Sequence, residues 1–260
     1  MTPLDAAHAA MERDEADEAS RLRFFDCLAD GEFFLLLEEE PQGADLKPRI
    51  FPLESGPVVL IFDLEERMAD FSGGVAPYAA LPGRVIAQVL AGQGIGLGVN
   101  LGVAPSQMIL PPEALDWLSG VLDGAPESAE DMPEAFEVPR ALPPGLISAL
   151  EAKLARVAGL AAFALLMGVR YRGNRKGHML AIVGAAEGDE AALAHAVREA
   201  LVFSGLEAGV LDVTFLTGQE DVLMRMLAVA RRFDIPVPVE RERAAPLAPG
   251  SDPARPPKLR

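Results

Sequence analysis

The sequence predicts a mixed α/β (α+β) protein of two small domains, each a mixed sheet with flanking helices. Three observations carry this expectation. Short apolar, β-branched runs such as Val58–Phe62 alternate with stretches whose apolar residues recur at helical spacing. A segment rich in proline and acidic residues divides the chain near its middle. The chain has 260 residues, 50% of them hydrophobic, which supplies a sizeable core and fits one large or two modest domains.

Residues 4–30 read as one helix. Alanine is frequent, glycine and internal proline are absent, and Leu22, Phe25 and Leu28 recur at helical spacing until Asp30-Gly31 stops it. Residues 33–37, 49–51 and 58–62 read as strands, the last apolar enough to be buried. Residues 65–71 and 84–90 read as short helices, ended by Ser72-Gly73-Gly74 and Ala91-Gly92. Residues 94–103 read as a strand. Pro111-Pro112 opens a helix with Leu115, Leu118 and Leu122 on one face, since proline in the first turn gives up no hydrogen bond.

These elements make a first domain over 1–122. Residues 123–142 have linker composition: prolines stiffen them and like charges extend them. The second domain, 143–239, reads αββαβα. A helix covers 143–157. Residues 160–171 and 178–183 form a hairpin around the turn-rich Arg172–Gly177, a helix covers 189–203, and 211–216 is a strand. Thr217-Gly-Gln-Glu220 matches a capping box opening a last helix to about Phe233. Residues 240–260, rich in proline and alanine, read as a disordered tail.

The net charge of −16 argues against nucleic-acid partners, which demand a dense basic surface. The acidic N-terminus has no basic stretch and no apolar run, so it does not read as a secretory signal. No apolar run approaches the ~20 residues of a membrane span. The expected setting is cytoplasmic, with no membrane. One cysteine excludes a disulfide scaffold and any zinc cluster of cysteines, and the three histidines never stand at a ligand spacing. No metal and no cofactor is expected.

Two patterns stand out as binding candidates. Gly94, Gly96, Gly98, Asn100 and Gly102 alternate with Ile95, Leu97, Val99, Leu101 and Val103, giving a strand with one apolar and one nearly bare face. Repeated glycine in a strand calls for a close approach, by a helix of the same chain or by a partner in a groove. The spacing is not a dinucleotide loop, because no helix opens directly after it. Arg170, Arg172, Arg175 and Lys176 form a cationic knot on the hairpin, suited to an acidic partner or to solvent. Glu38–Glu40 read as a solvated strand end, and Cys27, beside Asp26 and Asp30, as an inert thiol.

Four phrases, Phe34–Pro41, Gly56–Asp63, Ala76–Gly83 and Gly92–Gly102, occur in an order that resembles the N-terminal domain of the SseB family, the enhanced-serine-sensitivity proteins. The resemblance covers 20–122, and 189–238 is similar to the SseB C-terminal domain. It implies a bacterial cytoplasmic protein of two α/β domains without assigned catalytic residues or cofactor. The expected function is a non-enzymatic protein-binding or regulatory role. The alternative is an enzyme or small-molecule binder with a site between the domains.

Overall fold

The computed structural model describes residues 1–237 except 15, 42–44, 125–131, 144, 207–210 and 219–220. The capping box at Glu220 and the 240–260 tail therefore lie outside the described residues.

Where one N-terminal helix was expected there are two: α1 (Pro3–Arg13) and α2 (Glu18–Asp30). Asp17 explains the break. Its carboxylate accepts from the Ala19 N–H and from Ser20, capping a new helix where the old one would have continued. Strand β1 (Glu32–Leu36) follows, then β2 (Ile50–Leu53), β3 (Gly56–Phe62), α3 (Glu65–Ser72), β4 (Tyr78–Pro82), α4 (Gly83–Leu90), β5 (Gly96–Val99), β6 (Met108–Leu110) and α5 (Pro112–Asp123). The sheet order is β4-β1-β3-β5-β6, with β2 also on β3. Strands β3 and β5 are parallel, pairing Val58 with Gly96 and Ile61 with Val99, and the other pairs are antiparallel.

Period-two alternation sends Leu35, Val59, Ile61, Leu97 and Val99 to one face, where α1, α2, α4 and α5 bury them. Leu36, Val58, Leu60 and Phe62 face the other way, under Met68 of α3. In this half, strands β4 and β6 are ones that periodicity did not reveal; the first lies between Pro77 and its own last residue Pro82, and the second is three residues long.

The second half contains β7 (Pro133–Glu137), α6 (Leu146–Arg156), β8 (Phe163–Tyr171), β9 (Lys176–Val183), α7 (Glu190–Val202), β10 (Leu211–Leu216), α8 (Asp221–Leu227) and β11 (Arg231–Asp234). The sheet runs β10-β9-β8-β11, with β7 taking the rest of the β8 edge. The expected hairpin is β8–β9, paired from Phe163–Val183 to Arg170–Lys176. Two expectations change. The segment read as linker contributes β7, an edge strand with Pro133 at its start, a place where proline forfeits no ladder bond. The last helix stops at Leu227, and Arg231–Asp234 forms β11 because strand geometry buries Phe233 between exposed Arg232 and Asp234. Helices α6 and α7 cover one face of this sheet and α8 the other. Phe203, at the end of α7, packs into the core of the first half, so the halves are in direct contact.

Candidate functional site

The glycine strand is shorter than the alternation suggested. Gly94 (φ +68°) and Gly102 (φ +74°) lie in turns outside β5, and the Gly102 N–H donates to Gln107 Oε1 at 3.0 Å. Gly96 and Gly98 are buried within the strand. A Cβ on Gly98 would stand 2.5 Å from Leu60 Cδ2 and 2.8 Å from Leu101 Cδ1, and one on Gly96 2.8 Å from the Leu110 carbonyl oxygen. The cover is thus a neighbouring strand and the turn after β5, not a helix. Gly96→Val is expected to destabilise by about 1–3 kcal/mol, because β6 must yield to the added methyls. A chemical denaturation midpoint unchanged from wild type would refute this.

Asn100 is wholly buried at φ +49°, a conformation an amide side chain tolerates better than most. Its Oδ1 accepts from the Asp63 N–H (3.1 Å) and its Nδ2 donates to Ser106 Oγ (2.9 Å). Ser106 in turn donates to Asp5 Oδ1 at 2.6 Å. Arg67 grips Asp5 through both terminal nitrogens (3.0 and 2.6 Å) and reaches Asp63 Oδ1 at 2.8 Å, while the Thr2 hydroxyl donates to Asp63 Oδ2 at 2.6 Å. The bond from Arg67 holds the Asp5 carboxyl far below its ordinary range. This network pins α1 across the C-terminal ends of the parallel pair β3 and β5. Its acidic groups are all engaged with one another's partners, so it acts as a clamp.

The cationic hairpin is an exposed tip. Arg172, Arg175 and Lys176 are exposed, the Arg175 guanidinium lies over the Tyr171 ring at 4.1 Å, and Arg170 Nε is 3.9 Å from Glu137 Oε1. It stands apart in sequence and sheet from the glycine strand, which belongs to the other half. His178 Nε2 donates to the Arg140 carbonyl at 3.0 Å.

The junction between the halves holds a cluster that sequence reasoning missed. Lys153 of α6, 5% exposed, places Nζ 2.7 Å from Asp26, 2.6 Å from Asp30 and 3.0 Å from Glu199, which is 1% exposed. Arg84 of α4 bridges Asp30 (2.5 Å) and Glu199 (3.1 Å), Arg156 also pairs with Asp30, and His195 Nε2 lies 3.0 Å from Glu199 Oε1. Burial pushes the Glu199 carboxyl up, but the charge of Lys153 and the bonds from Arg84 outweigh it and hold the group below its ordinary range. Burial, with Asp26 alongside, pushes the nearby Cys27 thiol up, as its neighbours in sequence implied. One local signal was available: Lys153 interrupts the buried stripe Leu146, Leu150, Leu154 of its helix.

A cleft opens elsewhere in the first half, between α4 and the segment leading into β2. Its volume is about 260 Å³, and Leu35, Leu46, Ile50, Val59, Ile86 and Val89 are among the residues lining it. Gln93 brings a polar side chain to it, already donating to the Val89 carbonyl. Val89 is 57% and Ile50 48% exposed, so the apolar lining reaches the surface. Among the described residues, no helix is long and apolar enough to cross a membrane.

Residues 4–117 match the family model of the SseB protein N-terminal domain. No curated protein and no solved structure matches the chain.

Proposed function

The chain belongs to the SseB family through its residues 4–117, and on that footing we propose that it is a non-enzymatic protein-binding or regulatory protein whose docking surface is the cleft beside α4. The observation that supports this is the lining: aliphatic side chains of β1, β3 and α4 face a concavity that reaches the surface at Val89 and Ile50. At about 260 Å³ it falls below the ~300–1,000 Å³ of clefts that hold drug-sized ligands, which suits side chains of a partner. The proposed setting is the bacterial cytoplasm, and the proposed partner links the protein to the serine sensitivity for which its family is named.

A second reading places a small-molecule or catalytic site between the halves, and the convergence of Lys153, Glu199, Asp30, Arg84 and His195 there favours it. Since those charges saturate one another, this reading requires the junction to open.

Capture with the full-length chain separates the two. Val89→Arg and Ile50→Arg, at exposed positions, are expected to keep the wild-type melting temperature and to lower recovery of the captured partner about tenfold. The hairpin pair Arg172→Glu with Lys176→Glu serves as the comparison and is expected to recover the partner as wild type does. Full recovery by both cleft variants, with loss in the hairpin variant, would move the docking surface to the second half.

A further inference from the structure

Most of the net negative charge of this chain lies in its first half. Residues 1–123 hold 21 Asp+Glu against 7 Lys+Arg, whereas 143–237 hold 10 of each. The cleft lies in the acidic half, and its rim is acidic too. Exposed Asp45 precedes the lining residue Leu46. Glu38 donates its backbone N–H to the Lys47 carbonyl, which brings the exposed Glu38–Glu40 run alongside the segment that enters β2. Asp116 Oδ1 accepts from the Gly92 N–H at 2.7 Å, next to Gln93 at the end of α4. Two cations stand against these acids, and both are engaged: Lys47 with Glu39 at 2.5 Å, Arg49 over the Phe51 ring at 5.2 Å. Helix α4 also ends here with no basic residue in its last turn, so the negative end of its dipole is left uncompensated by its own side chains.

Resting on the binding role proposed above, we infer that the occupant of the cleft is a cationic segment of a partner protein that inserts a large aliphatic side chain between α4 and β2. Two features decide between classes of partner. An aliphatic lining rewards an apolar anchor whatever its neighbours carry. The acidic rim then selects among anchored segments, because lysine and arginine around the anchor gain from the field and acidic residues are repelled. Steering by so lopsided a charge acts on the association rate and weakens with salt.

Fluorescence anisotropy with the full chain and three labelled 14-residue peptides tests this: one of lysine and leucine in amphipathic register, one with glutamate in place of lysine, one with serine in place of leucine. The lysine–leucine peptide is expected to bind at least about tenfold tighter than either of the others, and to weaken as salt rises from 50 to 200 mM. Val89→Ser, which removes apolar surface without adding charge, is expected to weaken that peptide several-fold. If the glutamate–leucine peptide binds as tightly, and Val89→Ser still weakens it, the charge inference fails while the docking cleft stands. If Val89→Ser and Ile50→Ser leave lysine–leucine binding unchanged, or if the lysine–serine peptide binds as well, attraction is diffuse and both the inference and the cleft fall together.

Discussion

Lys153→Met is expected to destabilise the protein by about 3–5 kcal/mol, the cost of removing one member of a buried ion cluster and leaving its partners charged. Methionine keeps most of the volume, so the loss is electrostatic. Asp26 would lose its pair with Lys153, Asp30 would keep Arg84 and Arg156, and Glu199 would keep Arg84 and His195, all partly exposed partners and worth less for it. Adding Glu199→Gln is expected to restore part of the loss, since it removes a buried carboxylate that has lost its Lys153 partner. Urea unfolding measures both effects, and the rate at which Cys27 reacts with a maleimide reports the junction itself, because that thiol sits on α2 beside the cluster. A single variant within about 1 kcal/mol of wild type, with unchanged labelling, would show that Lys153 does not hold the halves together. The same cluster sets a direction for acid. The Glu199 carboxyl is held below its ordinary value in the folded protein, so its stabilising contribution is present above the unfolded-state pKa and is lost as pH falls through the folded one.

Local patterns were legible where one element decides its own fate. The β3 run Val58–Phe62, the α5 stripe Leu115–Leu118–Leu122 and the β8–β9 hairpin follow from period and turn chemistry, and the structure holds them where periodicity put them. Legibility failed where an element depends on a distant one. Strand β11 exists because β8 offers it an edge, and Phe233 reads equally well as the last residue of a helical stripe. Asp17 was legible as a cap only by weighing its bond to Ala19 against a run without glycine or proline. Neither charge cluster could be found in sequence. Asp5 meets Arg67 across 62 positions and Lys153 meets Asp30 across 123, so no spacing carries them. Only the interruption of an apolar stripe by Lys153 pointed that way, and an interruption does not say which carboxylates will answer it.

Gly83→Ala is expected to destabilise by about 3 kcal/mol, near the upper end of what overpacking costs. Gly83 opens α4 and is buried where that helix crosses α2. Its N–H donates to the Gly31 carbonyl at 2.8 Å, fixing the two chains at contact distance. A methyl there would stand 1.8 Å from the Leu28 carbonyl oxygen, and the Phe33 ring, 3.1 Å away, blocks retreat. Backbone cannot rotate aside as a side chain would, so α4 must lift from α2, taking Ile86 and Leu90 away from the core they share with Phe24 and Leu28. Gly120→Ala is the matched control. It lies within α5 with nothing inside 4 Å of the added Cβ, so alanine's better helix propensity is expected to stabilise by about 0.5–1 kcal/mol. Opposite signs for the same substitution, read as melting temperatures of two single variants, would isolate the helix crossing as the cause. Equal signs would mean that α2 can move at Gly83, and the junction residues Asp26 and Asp30 on that helix would then have to move with it.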